Sequence, residues 1–194
     1  MSGEDKNPAG PVTDTGDAAG GEAAAGRPKR KRPEPVQVVK ARRDAALHRL
    51  TEGIPYARFI GVSWERAGDE LTATLSFSPS IIGNPMLPAI HGGVTGAFLE
   101  LAAQVEIAWA MVWERMEGGG EAAARIEAGE FPPFPKTIDF TVDYLRSGLP
   151  RDAYARARIT RMGRRYASVS VEAWQDERSK PYASAIAHFA MPKE

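Results

Sequence analysis

Between Leu71 and Val105 the chain carries a single charged side chain, Glu100, in the run His91-Gly92-Gly93-Val94-Thr95-Gly96-Ala97-Phe98-Leu99-Glu100. Leu101, Ala102 and Ala103 follow it. A lone carboxylate in an apolar helix is costly unless it is paired or hydrogen-bonded. Desolvation raises its pKa, which suits it to work as an acid or base. The glycines that open this helix allow a ligand close to the backbone. The helix N-terminus behind them offers unpaired N–H groups and the positive end of the dipole, suited to a developing oxyanion.

The elements around this segment must hold it in place. In Leu71 to Phe77, apolar Leu71, Ala73, Leu75 and Phe77 alternate with Thr72, Thr74 and Ser76, the period of a half-buried strand. Ile138, Phe140, Val142 and Tyr144 alternate in the same way with Asp139, Thr141 and Asp143. So do Ala153 to Met162, Tyr166 to Gln175 and Tyr182 to Met191, with short turns between them that imply antiparallel pairing. Gly92 to about Trp113 reads as one long helix, apolar on nearly every side as far as Glu106, and therefore buried. Val36 to Leu50 and Pro55 to Phe59 read as shorter helices. The expected fold class is α+β: a hotdog fold, with an antiparallel sheet wrapped around one long buried helix.

Composition narrows the function. The 194 residues balance 25 basic against 25 acidic side chains, which gives no electrostatic reason to expect a nucleic acid or an anionic membrane as partner. There is no cysteine and there are three histidines (His48, His91, His188), so no thiolate chemistry and no His-rich metal site is expected. No secretory signal is visible and no apolar run approaches the length of a bilayer span, so a cytoplasmic protein is expected. Residues 1–35, rich in Gly, Ala and Pro and without an aromatic residue, read as a disordered tail ending in the basic run Arg27 to Arg32. Residues 36–194 read as a single domain with an N-terminal helical extension.

From about Ile54 to Met191 the chain resembles the hotdog-fold acyl-CoA thioesterases of the phenylacetate-pathway (PaaI-like) family. Three segments carry the resemblance: Ile54-Pro55-Tyr56; Asn84-Pro85 through His91-Gly92-Gly93 to Glu100; and Thr137-Ile138-Asp139-Phe140 running on to Tyr144-Leu145-Arg146. It implies that Glu100 is the nucleophile or the general base toward water. The Gly92 N–H would meet the thioester carbonyl, His91 would orient the loop, and the Thr137 hydroxyl would help position water. It also implies an acyl-CoA substrate, no cofactor, and a homodimer or dimer-of-dimers tetramer with active sites at the dimer interface.

Gly92 and Glu100 are eight residues apart on one helix, a separation of about 12 Å. An oxyanion donor and an attacking group must each lie about 3 Å from the reacting centre. Gly92 of one chain is therefore expected to face Glu100 of its partner. The family's polar residue six places before the His is replaced by Pro85, with Asn84 one residue earlier. Gln104 shares the Glu100 face and could bind either the carboxylate or the substrate, and Gly93 would border the bound thioester. Arg146, Arg161, Arg164 and Arg165, on strand ends and turns, are candidates for the coenzyme A phosphates. The stretch Met116 to Pro135 is either a lid over the acyl pocket or a surface insertion. His188 is expected to pack in the core, and Trp109 and Trp113 to serve packing. Two other readings compete. A non-catalytic acyl-CoA-binding module would not need Glu100. A hotdog hydratase would show an Asp five residues before the His, where Met86 stands.

Overall fold

The computed structural model describes residues 34–193. The tail expected over 1–35, with its basic run, falls almost wholly outside them. The elements, in chain order, are α1 (Val36–Glu52), α2 (Pro55–Ile60), β1 (Val62–Ala67), β2 (Glu70–Leu75), α3 (Gly92–Gly118), α4 (Gly120–Glu127), β3 (Lys136–Tyr144), β4 (Ala153–Met162), β5 (Tyr166–Trp174) and β6 (Ala183–Ala190). The six strands form one antiparallel sheet in the order β1-β2-β4-β5-β6-β3. This is the expected α+β hotdog arrangement, with α3 held against the sheet.

Small residues explain how closely the helix sits. The sheet turns Ala73, Ala153, Ala155, Ala167, Ala173 and Ala187 toward α3, every one of them buried. These short side chains leave room for Phe98, Leu99, Leu101 and Ile107 of the helix, which interdigitate with Val169, Val171 and Phe189. Burying each large apolar side chain contributes roughly 1.5–3 kcal/mol. A second cluster covers the rear of the helix: Ala46, Leu47 and Leu50 of α1 and Ile126 of α4 pack on Val105, Ala108, Trp109 and Val112. Trp109 meets Trp113 edge-on, and the Arg43 guanidinium lies 3.7 Å over the Trp113 ring, so both indoles serve packing. By length and hydropathy alone α3 could cross a bilayer, but 61% of its most apolar window is buried in the fold.

Several boundaries move. α3 runs five residues past Trp113, where Met116 still packs against the rear cluster and Arg115 donates back to Met111 O, and then breaks at Gly118-Gly119-Gly120. Gly119 and Gly120 adopt φ of 67° and 62°, which side-chain-bearing residues rarely tolerate. The chain between α3 and β3 is not a bare loop, since α4 occupies its first half.

In β3 the ladder partners jump from Thr137↔Phe189 to Asp139↔His188, a bulge at Ile138. Ile138 is thereby 61% exposed rather than facing the core with Phe140 and Val142. His188, too, is not a core residue. Ala187 and Phe189 point inward, so it lies on the opposite face, with Nδ1 3.0 Å from Ser168 Oγ and Nε2 3.9 Å from Asp139 Oδ2.

Candidate active site

The start of α3 is built by His91. As the N-cap residue, its Nδ1 accepts the Gly93 N–H at 2.9 Å, while its own N–H donates to Ile81 O at 2.8 Å and its carbonyl accepts from Val94 and Thr95. With Nδ1 taken up as an acceptor, Nε2 is the ring nitrogen left to donate. Of the first four N–H groups of the helix, those of Gly93, Val94 and Thr95 have acceptors. The Gly92 N–H has none among the described residues. It is the donor still open to a ligand at this helix end.

The glycines have neighbours of their own. A Cβ on Gly92 would come to 3.5 Å from the Tyr144 ring, and one on Gly96 to 3.6 Å from the Tyr144 hydroxyl. A Cβ on Gly93 would lie 3.0 Å from His91 Nδ1. Tyr144 also donates its hydroxyl proton to Gly92 O at 2.9 Å. The small residues at 92 and 96 therefore seat an aromatic side chain, and Gly93 seats the capping imidazole. Tyr144 stands in the sequence as the last apolar position of a strand and within one of the three family-like segments, and neither gives it a role at the site. The spacing of Gly92 and Gly96, four apart on one helix face, was the available signal.

The same face continues. Gly92, Gly96, Glu100 and Gln104 recur every four residues and are all half-buried in a helix otherwise largely enclosed. β3 runs antiparallel along this stripe. Tyr144 covers the first two positions, and Thr137 Oγ1 donates to Glu100 Oε1 at 2.7 Å. The Pro135 carbonyl accepts from Gln104 Nε2 at 2.9 Å. The bulge at Ile138 matters here, because strict alternation would put Thr137 on the face away from Phe140. The extra residue returns it to the helix side, where its short charge-assisted bond fixes one carboxylate oxygen and leaves Oε2 unused by it.

Of the other expected site residues, Gln104 ties the approach to β3 rather than the Glu100 carboxylate. Asn84 closes its own turn, Oδ1 accepting the Met86 N–H at 2.9 Å. Arg146 follows β3 at the Tyr144 end, its N–H bonded to Tyr182 O. Arg161 lies 5.7 Å over the Tyr166 ring. Arg164 and Arg165, in the β4–β5 turn, line a cleft of about 1340 Å³ with α4 and the second half of α3. The structure thus gathers Gly92, Glu100 and Gln104 along one helix face with Thr137 of β3 against it, and places the four arginines elsewhere, Arg164 and Arg165 together at the cleft.

Two ionisable groups nearby were not singled out by the sequence. Burial, and secondarily the charge of Glu70, pushes the Glu106 carboxyl up to about 7. Burial likewise pushes the Tyr182 phenol up to about 12.

Comparison with known proteins agrees with this architecture. Residues 83–190 match the sequence profile of the Acyl-CoA thioesterase N-terminal domain family. The medium/long-chain acyl-CoA thioesterase YigI of Escherichia coli K12 is 31% identical over 126 residues, 64% of this chain and 77% of that protein. A structural-genomics structure from Chromobacterium violaceum is 33% identical, covers 80% of this chain and 96% of its own, and superposes with a TM-score of 0.55. The E. coli PaaI protein of the phenylacetic acid degradation operon shares the fold at 14% identity and TM-score 0.59, covering 79% of this chain and 95% of its own. With its family profile spanning more than half of the sequence, this chain belongs to the hotdog-fold acyl-CoA thioesterases.

Proposed function

We propose that this enzyme hydrolyses an acyl-CoA thioester at a site shared by two protomers, with Glu100 from one and the Gly92 N–H from the other. The observation that carries this is the pairing on α3 of one unoccupied backbone donor with one acid anchored by Thr137. As general base, Glu100 takes a proton from water while the hydroxide adds to the thioester carbonyl. As nucleophile, it adds directly and water later cleaves the anhydride. In either route the oxyanion forms against the Gly92 N–H, at the positive end of the helix. Its collapse breaks the C–S bond, and the coenzyme A thiolate leaves without requiring a dedicated acid. The reaction so written uses no cofactor.

Sharing the site follows from distance, since about 12 Å of helix separates the two groups in one chain. The sheet edge supports it as well. β3 is one of the two edge strands, nine residues long, and Ile138, Tyr144 and Leu145 are exposed along and just beyond it. An edge of that length and apolarity is a natural pairing surface, so a homodimer, alone or doubled into a tetramer, is the expected assembly. The named relative supports a medium- or long-chain acyl group, and the cytoplasm, where acyl-CoA is made, is the implied compartment. Thiol release from a panel of acyl-CoAs tests the assignment. Glu100→Ala should lose about a thousandfold in kcat. Undiminished turnover would remove Glu100 from the mechanism, and no turnover by the native protein would favour an acyl-CoA-binding module.

A further inference from the structure

The cleft of about 1340 Å³ at the far end of α3 does not include Glu100. Its floor is apolar, formed by Met111, Ile126, Phe131 and Met191. Arg115, Arg125, Arg164, Arg165 and Lys193 border it, against the acids Glu114 and Glu130. Three more cations than acids therefore gather here, in a chain whose formal net charge is zero. Arg125 is neutralised by Glu130, its Nε 2.8 Å from the carboxylate. Arg164 and Arg165 form no ion pair among the described residues. They project from a turn fixed by Gly163 N–H to Tyr166 O and Met191 N–H to Arg165 O, both 3.0 Å.

The opposite wall is equally fixed, because Ile126 anchors α4 in the core cluster behind α3. A preformed cleft with an apolar floor and a cationic rim suits a flat ring carrying phosphates. A purely apolar chain would leave the arginines without a partner. Met111 lies eleven residues along α3 from Glu100, roughly 16 Å, a distance for an extended arm to span. The far wall runs through Pro133 into β3 and so to Thr137.

We propose that this cleft seats the phosphorylated adenine nucleotide of the acyl-CoA substrate, with Arg164 and Arg165 binding its phosphates and α4 serving as the wall that confines it. The assignment rests on the thioesterase reading and gives the α3–β3 insertion a role in recognising substrate.

The test compares decanoyl-CoA with decanoyl-pantetheine, which has the same thioester and no nucleotide. In Arg164→Glu/Arg165→Glu, KM for decanoyl-CoA should rise at least about tenfold, with KM for decanoyl-pantetheine moving less than twofold. The charge-matched control Arg178→Glu/Lys180→Glu, on the β5–β6 turn, should move neither. An unchanged KM for decanoyl-CoA, or an equal rise for both substrates, overturns the proposal. Calorimetry with adenosine 3′,5′-bisphosphate judges the cleft without turnover. Saturable binding lost in the Arg164/Arg165 variant supports it, and no binding to the native protein overturns it. A native protein that binds this nucleotide yet hydrolyses neither thioester would overturn the hydrolase reading and leave the cleft standing.

Discussion

The two halves of α3 handle their acids in opposite ways. In the first half the only charge is Glu100, half-buried, with a hydroxyl 2.7 Å from one oxygen and an unoccupied N–H at the helix start. In the second half Glu106, also half-buried, lies where burial and Glu70 push its carboxyl up to about 7. Six residues separate them, so they occupy different helix faces. The two acids therefore differ in what surrounds them rather than in burial. What distinguishes Glu100 is the strand running along its stripe, which brings a donor to it and keeps that face from being filled by large apolar side chains.

The division can be broken from either side. Gly92→Pro is the sharpest attack on the first half, because proline is favoured at the first helical position. His91, at φ −58° and ψ 132°, already has the backbone that precedes proline. The helix should persist while the open Gly92 N–H disappears, lowering kcat by about 10²–10³, with the circular dichroism spectrum unchanged. Thr137→Val should cost about tenfold in kcat, the worth of a hydrogen bond to a charged group. A loss visible only in thermal stability would make Thr137 a packing residue.

Glu106 calls for the opposite outcome. Its pKa is raised from 4.5 to about 7 in the folded state, so between those values the folded chain holds a proton that the unfolded chain has lost. Stability from this group is complete below about pH 4.5 and falls as pH rises toward 7. Glu106→Gln should therefore match the native protein near pH 4.5 and exceed it by about 2 kcal/mol at pH 8 in urea unfolding, with kcat unchanged. If turnover collapsed instead, the contrast between the two halves would be wrong. The smallest effect is expected for Tyr144→Phe. Removing the bond to Gly92 O should lower kcat a few-fold with KM unmoved, while Tyr144→Ala, which uncovers both glycines, should lose more.

Much of this was legible in the residues. Alternation located β3 to β6 within a residue or two, and the apolar run beginning at Gly92 announced the central helix. Glu100 stood out because nothing else charged lay near it. What periodicity could not supply was the bulge at Ile138. The alternation of Ile138, Phe140, Val142 and Tyr144 was read as unbroken, and only pairing with β6 reveals the slip that turns Thr137 toward the helix. Three-dimensional neighbours also decided the glycines, whose open faces in sequence proved to hold Tyr144 and His91. His188 was misplaced for a related reason. Its apolar neighbours Ala187 and Phe189 mark the core face of a strand and so place His188 on the other.

The central claim is that one site needs two chains, and mixed dimers test it most directly. Co-expressed under different tags, a Glu100→Ala chain and a Gly92→Pro chain should each, as homodimers, keep no more than about 1% of the native activity. A dimer containing one of each pairs an intact Gly92 with an intact Glu100 across one of its two equivalent sites. Purified by both tags in turn, it should regain about half the activity of the native dimer, one of its two sites being intact. Activity no greater than that of the two parent homodimers would show that Gly92 and Glu100 do not act together across the interface.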